Sequence, residues 1–279
     1  MIERAYGKIN LSLDITGVRE DGYHTLNSIF LPIDFYDELV INKSKEMKYS
    51  CNQYFIRFNE SNTVVKAVEL MKEEFNIIDN FDITLNKHLP TQAGLAGGST
   101  DGAAIIRAIN KMYHLNLSDE KIKELCLKIG ADVLFTYYSK PALVSGIGEN
   151  IEFIDVKDDY YILIVKPKYG VSTKDCYNLM DCETCPHPDI EGLKKALASG
   201  EDIIPYLGNS MEPAAIELLP AIKEVKQEML ALGAPFALMS GSGSSVFTLS
   251  KDEELIKRLS VVIKNKGWFV RYTKVLKNA

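Results

Sequence analysis

Leu89-Pro90-Thr91-Gln92-Ala93-Gly94-Leu95-Ala96-Gly97-Gly98-Ser99-Thr100-Asp101-Gly102 is the stretch on which the reading of the fold turns. Small residues let backbone amides approach an anion, and a helix beginning there adds unpaired N–H groups and partial positive charge. Ile105, Ile109 and Met112 share one face of that helix. By itself the loop reads equally as a phosphate cradle or as a bare glycine-rich surface turn, because glycine patterns are unspecific. It is not a Walker A loop, since Ser99 rather than Lys follows Gly98. Nor do Gly94, Gly97 and Gly98 give the dinucleotide spacing G-x-G-x-x-G.

Upstream of the loop, residues 8–15 alternate polar and apolar like a half-buried strand, residues 19–22 form a turn, and residues 28–41 read as further strand. Asn62 is an N-cap candidate for a helix with Val64, Val68, Met71 and Phe75 on one face, and residues 81–85 read as a strand. Downstream, Ser118 starts a helix with Ile122, Leu125 and Ile129 inward. Strands are expected at 142–144 and 160–165, and residues 176–209 look less regular. Pro220 opens a helix that Gly233 closes. The remainder reads as strand 236–239, a glycine turn, strand 245–249, a helix with Leu255, Leu259 and Val262 inward, and strand 268–272. Strands occur in pairs as well as between helices, which favours an α+β class over a doubly wound parallel sheet.

The 279 residues correspond to about two domains, and the expected division is 1–156 and 157–279. With 32 Lys+Arg against 38 Asp+Glu the net charge is −6, so a general nucleic acid partner is not expected. No apolar run reaches the roughly 18 residues of a membrane helix. Five cysteines without a signal core at the N-terminus are expected to be reduced, in a cytoplasmic protein. Cys176, Cys182, Cys185 and His187 resemble a zinc cluster in composition, but no second pair matches Cys182-x-x-Cys185. The expectation there is a reduced, variable loop without a metal.

The segment Pro90-x-x-Ala93-Gly94-Leu95-Ala96-Gly97-Gly98-Ser99 resembles the nucleotide phosphate loop of the galactokinase, homoserine kinase, mevalonate kinase and phosphomevalonate kinase (GHMP) superfamily. Four further blocks resemble the superfamily branch that phosphorylates 4-diphosphocytidyl-2-C-methyl-D-erythritol. They are Ala5-Tyr6-Gly7-Lys8-Ile9-Asn10-Leu11 with Arg19-Glu20-Asp21-Gly22-Tyr23-His24, Gly130-Ala131-Asp132-Val133, Ser145-Gly146-Ile147-Gly148-Glu149, and Met239-Ser240-Gly241-Ser242-Gly243. The chain departs from that pattern at Leu134 (usually Pro), at Ser210 (often Asp after Asn209) and at Thr91-Gln92-Ala93 (commonly more glycine).

The resemblance implies a two-lobed fold, with an N-terminal ribosomal-protein-S5-like lobe, a C-terminal ferredoxin-like lobe and an active site in the cleft. It implies ATP-dependent phosphorylation in the non-mevalonate isoprenoid precursor route, with Mg2+ accompanying ATP, by a monomer or homodimer. It makes Asp132 the proton acceptor with Lys8 as its cationic partner, where residue type alone would allow a turn aspartate and a solvated strand lysine. Tyr23 and His24 fall at the cytosine, Asn10 near the acceptor alcohol, and Tyr177 with Thr173 at a second aromatic wall. Asn62 takes an adenine-side position and Pro90, Ala93, Gly94, Leu95, Ala96, Gly97, Gly98 and Ser99 the phosphate loop.

Lys87, just before the loop, reads either as a cation for phosphate or as a strand-end lysine. Ser99 is placed to reach phosphate or metal, and no side chain is assigned as a metal ligand. Residues 240–243 either close over substrate or form a tight turn. The competing functions are another GHMP alcohol kinase, of homoserine or mevalonate type, and a non-catalytic binding protein on the same scaffold.

Overall fold

A computed structural model describes residues 1–277 of the chain. Two long strands open it, β1 (Ile2–Val18) and β2 (His24–Ser44), joined by a turn in which the Gly22 N–H donates to the Arg19 carbonyl. Then follow β3 (Lys48–Cys51), α1 (Thr63–Glu74), β4 (Asn80–Asn86), α2 (Gly97–Met112), α3 (Asp119–Ile129) and α4 (Val133–Tyr138). The chain continues through β5 (Ala142–Gly146), β6 (Asn150–Phe153), β7 (Tyr161–Lys166), α5 (Thr173–Leu179), α6 (Ile190–Ser199), α7 (Glu212–Leu218) and α8 (Ala221–Ala231). It ends with β8 (Leu238–Met239), β9 (Val246–Ser250), α9 (Glu253–Lys264) and β10 (Phe269–Lys274). No helix among the described residues is long and apolar enough to cross a membrane.

The contacts group into two compact units that interleave in sequence. The first comprises Met1–Gly7, Phe35–Pro90 and Ala96–Ser139, the second Lys8–Asp34, Thr91–Leu95 and Lys140–Ala279. The expected division at residue 156 is a cut in sequence, whereas β1 and β2 are long enough to contribute to both groups. Residues 278 and 279 of the expected second segment lie outside the described residues.

In the first unit, Glu38–Ser44 of β2 pair antiparallel with β4, and β3 adds to β4 in parallel. Leu39, Ile41, Phe81, Ile83 and Leu85 bury the period-two face of this sheet. α2 packs on α1 and α4. A Cβ at Gly102 would lie 3.2 Å from the Cβ of Thr63, so the α1–α2 approach depends on that glycine.

In the second unit the strand order is β10-β7-β9-β8 and every pairing is antiparallel. With α8 before β8 and α9 after β9, the strands run in the ferredoxin-like order 4-1-3-2. One core joins Leu13 and Ile15 of β1 to Leu163, Val165, Val225, Met229, Ile256 and Leu259. Elsewhere in the unit, β5 pairs with residues 26–30 of β2, and β6 with β5.

Three local readings are corrected. α9 buries Leu259 as expected and has Leu255 half-buried against the core, but Val262 is exposed and Ile256 and Ile263 complete the inward face. The strand expected at 236–239 shrinks to Leu238–Met239, following Pro235, which has no N–H to give a ladder. The stretch 176–209 holds α6, begun by Asp189, whose side chain accepts from the Gly192 N–H, and ended by left-handed Gly200.

Candidate active site

α2 begins without a side-chain cap. Its N-cap residue Ala96 is left-handed (φ 57°), and no acidic residue stands in the first turn. The N–H groups of Gly97, Gly98 and Ser99 are the first donors of a 16-residue helix, with no partner inside it. The carbonyls around them are all occupied by protein donors. Those of Gln92, Ala93, Gly94 and Leu95 accept from Ser244 N, Ser245 N, Ser240 Oγ and Lys8 N. Those of Ala96, Gly97 and Gly98 accept from Thr100 N, Lys87 Nζ and Thr63 Oγ1. A loop whose oxygens are turned to the protein and whose leading N–H groups have no partner among the described residues favours an anion.

Lys87 lies beneath this loop and is only 5% exposed. Its ammonium donates to Asp37 Oδ2 at 2.5 Å, Asp101 Oδ2 at 2.6 Å and the Gly97 carbonyl at 3.0 Å, which uses all three protons. Asp37 Oδ1 also accepts from the His88 and Leu89 N–H groups. Lys87, expected as a cation for phosphate, here has its ammonium turned into the protein, where it braces the loop from inside. Burial opposes its charge, but the Asp101 and Asp37 carboxylates hold its pKa above the ordinary value. Two carboxyls share one ammonium without solvent, so one keeps its proton. Burial first, and repulsion from Asp37, push Asp101 up to about 8 against the pull of Lys87.

Asn62 caps α1 as expected, its Oδ1 accepting from Val64 N at 2.9 Å, while its Nδ2 donates to the Arg57 carbonyl. Asp132 sits half-buried between the end of α3 and the start of α4. Its backbone is helical and its side chain makes no capping bond to α4, while its carbonyl accepts from Thr136 N and Oγ1.

In the second unit Lys8 is 3% exposed and donates to Asn10 Oδ1 at 2.6 Å, with Nζ 4.1 Å from the centroid of the Phe30 ring. Asn10 Nδ2 donates to Ser28 Oγ, and Ser28 Oγ to the Ser12 carbonyl. The Asn10 N–H donates to Ser240 Oγ. Residues 240–243 form the turn between β8 and β9 and are fixed to the glycine loop. Gly94 (φ 70°) has no room for a Cβ, which would fall 1.9 Å from the Ser240 carbonyl oxygen. Asn209 Nδ2 holds the Met239 and Gly241 carbonyls, each at 2.8 Å.

His24 and Tyr177 stack, with centroids 4.6 Å apart and planes 27° from parallel. Burial lowers the His24 pKa, so the ring is neutral near pH 7 and carries one donor and one acceptor. Thr173 Oγ1 is 2.8 Å from Ser242 Oγ. Tyr23 is 62% exposed at the end of the β1–β2 turn. The structure thus brings together Lys8 with Asn10, His24 with Tyr177, and Thr173 with the 240–243 turn.

Residues 62–140 match the family of GHMP kinase N-terminal domains and residues 183–267 the GHMP kinase C-terminal family. The 4-diphosphocytidyl-2-C-methyl-D-erythritol kinase of Clostridium beijerinckii is 40% identical over 89% of this chain and 90% of its own length. The chain belongs to the GHMP kinase family. The kinase of the same name from Bacillus subtilis is 36% identical over 93% of this chain and 91% of its own. A crystal structure of a 4-(cytidine 5'-diphospho)-2C-methyl-D-erythritol kinase matches at a TM-score of 0.84 and 30% identity over 99% of both chains. A homoserine kinase from Cytophaga hutchinsonii, at 20% identity, shares the fold with a TM-score of 0.74, covering 98% of this chain and 95% of its own.

The departures from the GHMP pattern have local accounts. Leu134 is buried in α4. Ser210 Oγ accepts from the Ile15 N–H and donates to the Pro186 carbonyl, so it ties β1 to the loop before α6. Sequence reasoning missed Asp37, Asp101, Ser28 and the bracing role of Asn209. Asp37 was visible in principle. Phe35, Asp37, Leu39 and Ile41 occupy one inward register of a strand, and a carboxylate there requires a buried cation. Among the described residues no group of three His, Cys, Asp or Glu side chains is arranged to hold a metal ion.

Proposed function

We propose that this GHMP kinase transfers the γ-phosphoryl of ATP to the 2-hydroxyl of 4-diphosphocytidyl-2-C-methyl-D-erythritol, a step of the non-mevalonate isoprenoid precursor route. The observation that carries the choice of alcohol is the stacked His24–Tyr177 pair. A neutral imidazole on an aromatic wall offers a face and a donor–acceptor edge to a pyrimidine. Homoserine and mevalonate have no such ring.

The triphosphate is held by the unused N–H groups of Gly97, Gly98 and Ser99, with the loop carbonyls drawn away from it. Magnesium accompanying ATP would offset part of the phosphate charge. The Ser99 hydroxyl, in the first turn of α2, is the group that would share its coordination. Asp132 accepts the proton of the 2-hydroxyl. A carboxylate is a weak base for an alcohol, so this proton moves late, as the bond to phosphorus forms. Lys8, held by Asn10, supplies positive charge to the attacking oxygen. Tyr23, exposed at the turn, closes on the cytosine beside His24, and Asn62 lies toward the adenine.

ADP release in the presence of ATP, magnesium and the cytidylyl alcohol tests the reading. Strong stimulation by that alcohol, with none by homoserine or mevalonate, is expected. Equal turnover of the simpler alcohols would transfer the chain to another branch. Substrate-independent ADP release, or none, would support a binding protein.

A further inference from the structure

Between α5 and α6 the phosphoryl chemistry leaves one cluster unused. The Cys185 N–H donates to the Asp181 carbonyl at 3.0 Å, closing a single helical turn. Asp181 caps that turn, with Oδ1 accepting from Glu183 N and Oδ2 from Thr184 Oγ1. Residues three apart on such a turn are neighbours, with Cβ atoms about 5–6 Å apart. Cys182 and Cys185 therefore share one side of it, both half-buried and both free thiols. Cys185 Sγ lies 3.8 Å from His187 Nε2, and His187 Nδ1 lies 2.7 Å from Asp14 Oδ1 on β1. The Cys182 carbonyl oxygen is 3.0 Å from the same Nε2.

The Asp14 carboxylate can only accept, so Nδ1 carries a proton and Nε2 is the nitrogen left to take the proton of the Cys185 thiol. If Nε2 takes that proton, its new N–H meets the Cys182 carbonyl, and both N–H groups of the imidazolium have acceptors. The Asp14 hydrogen bond, then the Cys182 carbonyl, raise the His187 pKa. Cys185 is the thiol beside Nε2, which makes it the attacking member of the pair, while burial raises the Cys182 thiol pKa.

We propose that Cys182 and Cys185 form a thiol–disulfide modification site, with Cys185 as nucleophile, His187 as its base and Asp14 as the residue that orients His187. The oxidant class is a hydroperoxide. The Cys185 thiolate attacks the terminal peroxide oxygen, the O–O bond breaks, and the departing alkoxide or hydroxide takes the His187 proton. Cys185 becomes a sulfenic acid while the peroxide is reduced to an alcohol or water. The Cys182 sulfur then attacks Cys185 sulfur, forming the disulfide and releasing one water made from the sulfenic hydroxyl and the Cys182 proton.

The full chain labelled with limiting iodoacetamide at neutral pH tests the first step by peptide quantification. Cys51, also half-buried, is the internal reference. Cys185 is expected to label about tenfold faster than Cys51, the gain that a neighbouring imidazolium gives a thiol. His187→Gln is expected to remove that advantage while leaving the Cys51 rate unchanged, which also reports that the protein stays folded. Hydrogen peroxide on unlabelled protein is expected to give a Cys182–Cys185 disulfide. Cys182→Ser is expected to stop at a sulfenic acid that dimedone traps on Cys185. Equal labelling of Cys185 and Cys51, insensitivity to His187→Gln, or two free thiols after peroxide would each overturn the assignment.

Discussion

The ammonium of Lys87 meets the carbonyl oxygen of Gly97 at 3.0 Å, so the first peptide of α2 is anchored from within the protein. The same ammonium is bound by Asp37 and Asp101. A Cβ at Gly97 would lie 3.1 Å from Lys87 Nζ, so a side chain there would crowd this ammonium. Removing the cation leaves the Asp37 carboxylate buried without its counter-charge. Lys87→Met is expected to cost about 3–5 kcal/mol of stability, measured by urea unfolding, with part of the loss recovered in Lys87→Met/Asp37→Asn. If Lys87 instead served phosphate, the KM for ATP would rise with the unfolding midpoint unchanged.

Asp101 gives the cluster a pH dependence. Burial holds its folded pKa at about 8, above the ordinary value of 3.8. A carboxyl held above its unfolded value favours the folded state fully only while the unfolded chain is also protonated. Between about 3.8 and about 8 the unfolded state sheds its proton first, so this contribution to stability falls as pH rises. Urea midpoints across that window are expected to decline less in Asp101→Asn than in the parent protein. Parallel curves would show that Asp101 is ionised throughout.

Asp132 is expected to act on chemistry rather than on nucleotide binding. Asp132→Asn keeps the size of the side chain, and the side chain makes no capping bond that α4 would lose. A drop in kcat of about 10²–10⁴ is expected from losing a positioned base, with ATP affinity by nucleotide displacement nearly unchanged. Near-normal turnover would remove Asp132 from the proton transfer.

How far the sequence exposed all this depended on how local each signal is. Helices α1 and α3 were legible because Asn62 and Ser118 punctuate them and their side chains do cap. α6 carried equivalent punctuation in Asp189 and Gly200, but the irregular residues before it masked the pattern. β3 has little apolar signal because its residues are exposed or half-buried. The glycine loop was readable as an anion cradle, yet its fastening was not. Ser240, Ser244 and Ser245 hold carbonyls roughly 150 residues earlier in the chain, a pairing that no window of residues contains. Lys87 was visible as a cation by the loop, but its direction depended on Asp37, fifty residues away.

The aromatic wall predicts a separation of the two ligands. Tyr177→Ala removes the ring that stacks on His24 and is expected to raise the KM for the cytidylyl alcohol about two- to tenfold, the size of one aromatic contact of about 0.5–1.5 kcal/mol. Tyr177→Phe keeps the ring and is expected to stay near the parent value. The KM for ATP is expected to be constant across the series. A change confined to ATP would place the pyrimidine elsewhere.

Gly94 and Gly22 allow backbone strain to be separated from collision. Both have positive φ, 70° and 84°. A Cβ on Gly22 meets nothing within 4 Å, whereas one on Gly94 would fall 1.9 Å from the Ser240 carbonyl oxygen and 3.3 Å from Gly243 N. Gly22→Ala therefore pays only for a left-handed alanine, about 1–2 kcal/mol. Gly94→Ala carries the same strain and must also push residues 240–243 away from the loop, which undoes the Ser240 Oγ bond to the Gly94 carbonyl. Its loss of stability in urea unfolding is expected to exceed that of Gly22→Ala by more than about 1 kcal/mol, since a hydrogen bond and close packing go together. The KM for ATP is expected to rise with it, because a displaced Gly94 carbonyl is again free to face the triphosphate. Equal losses in the two variants would mean that the 240–243 turn yields without resistance and that Gly94 is required only for its φ.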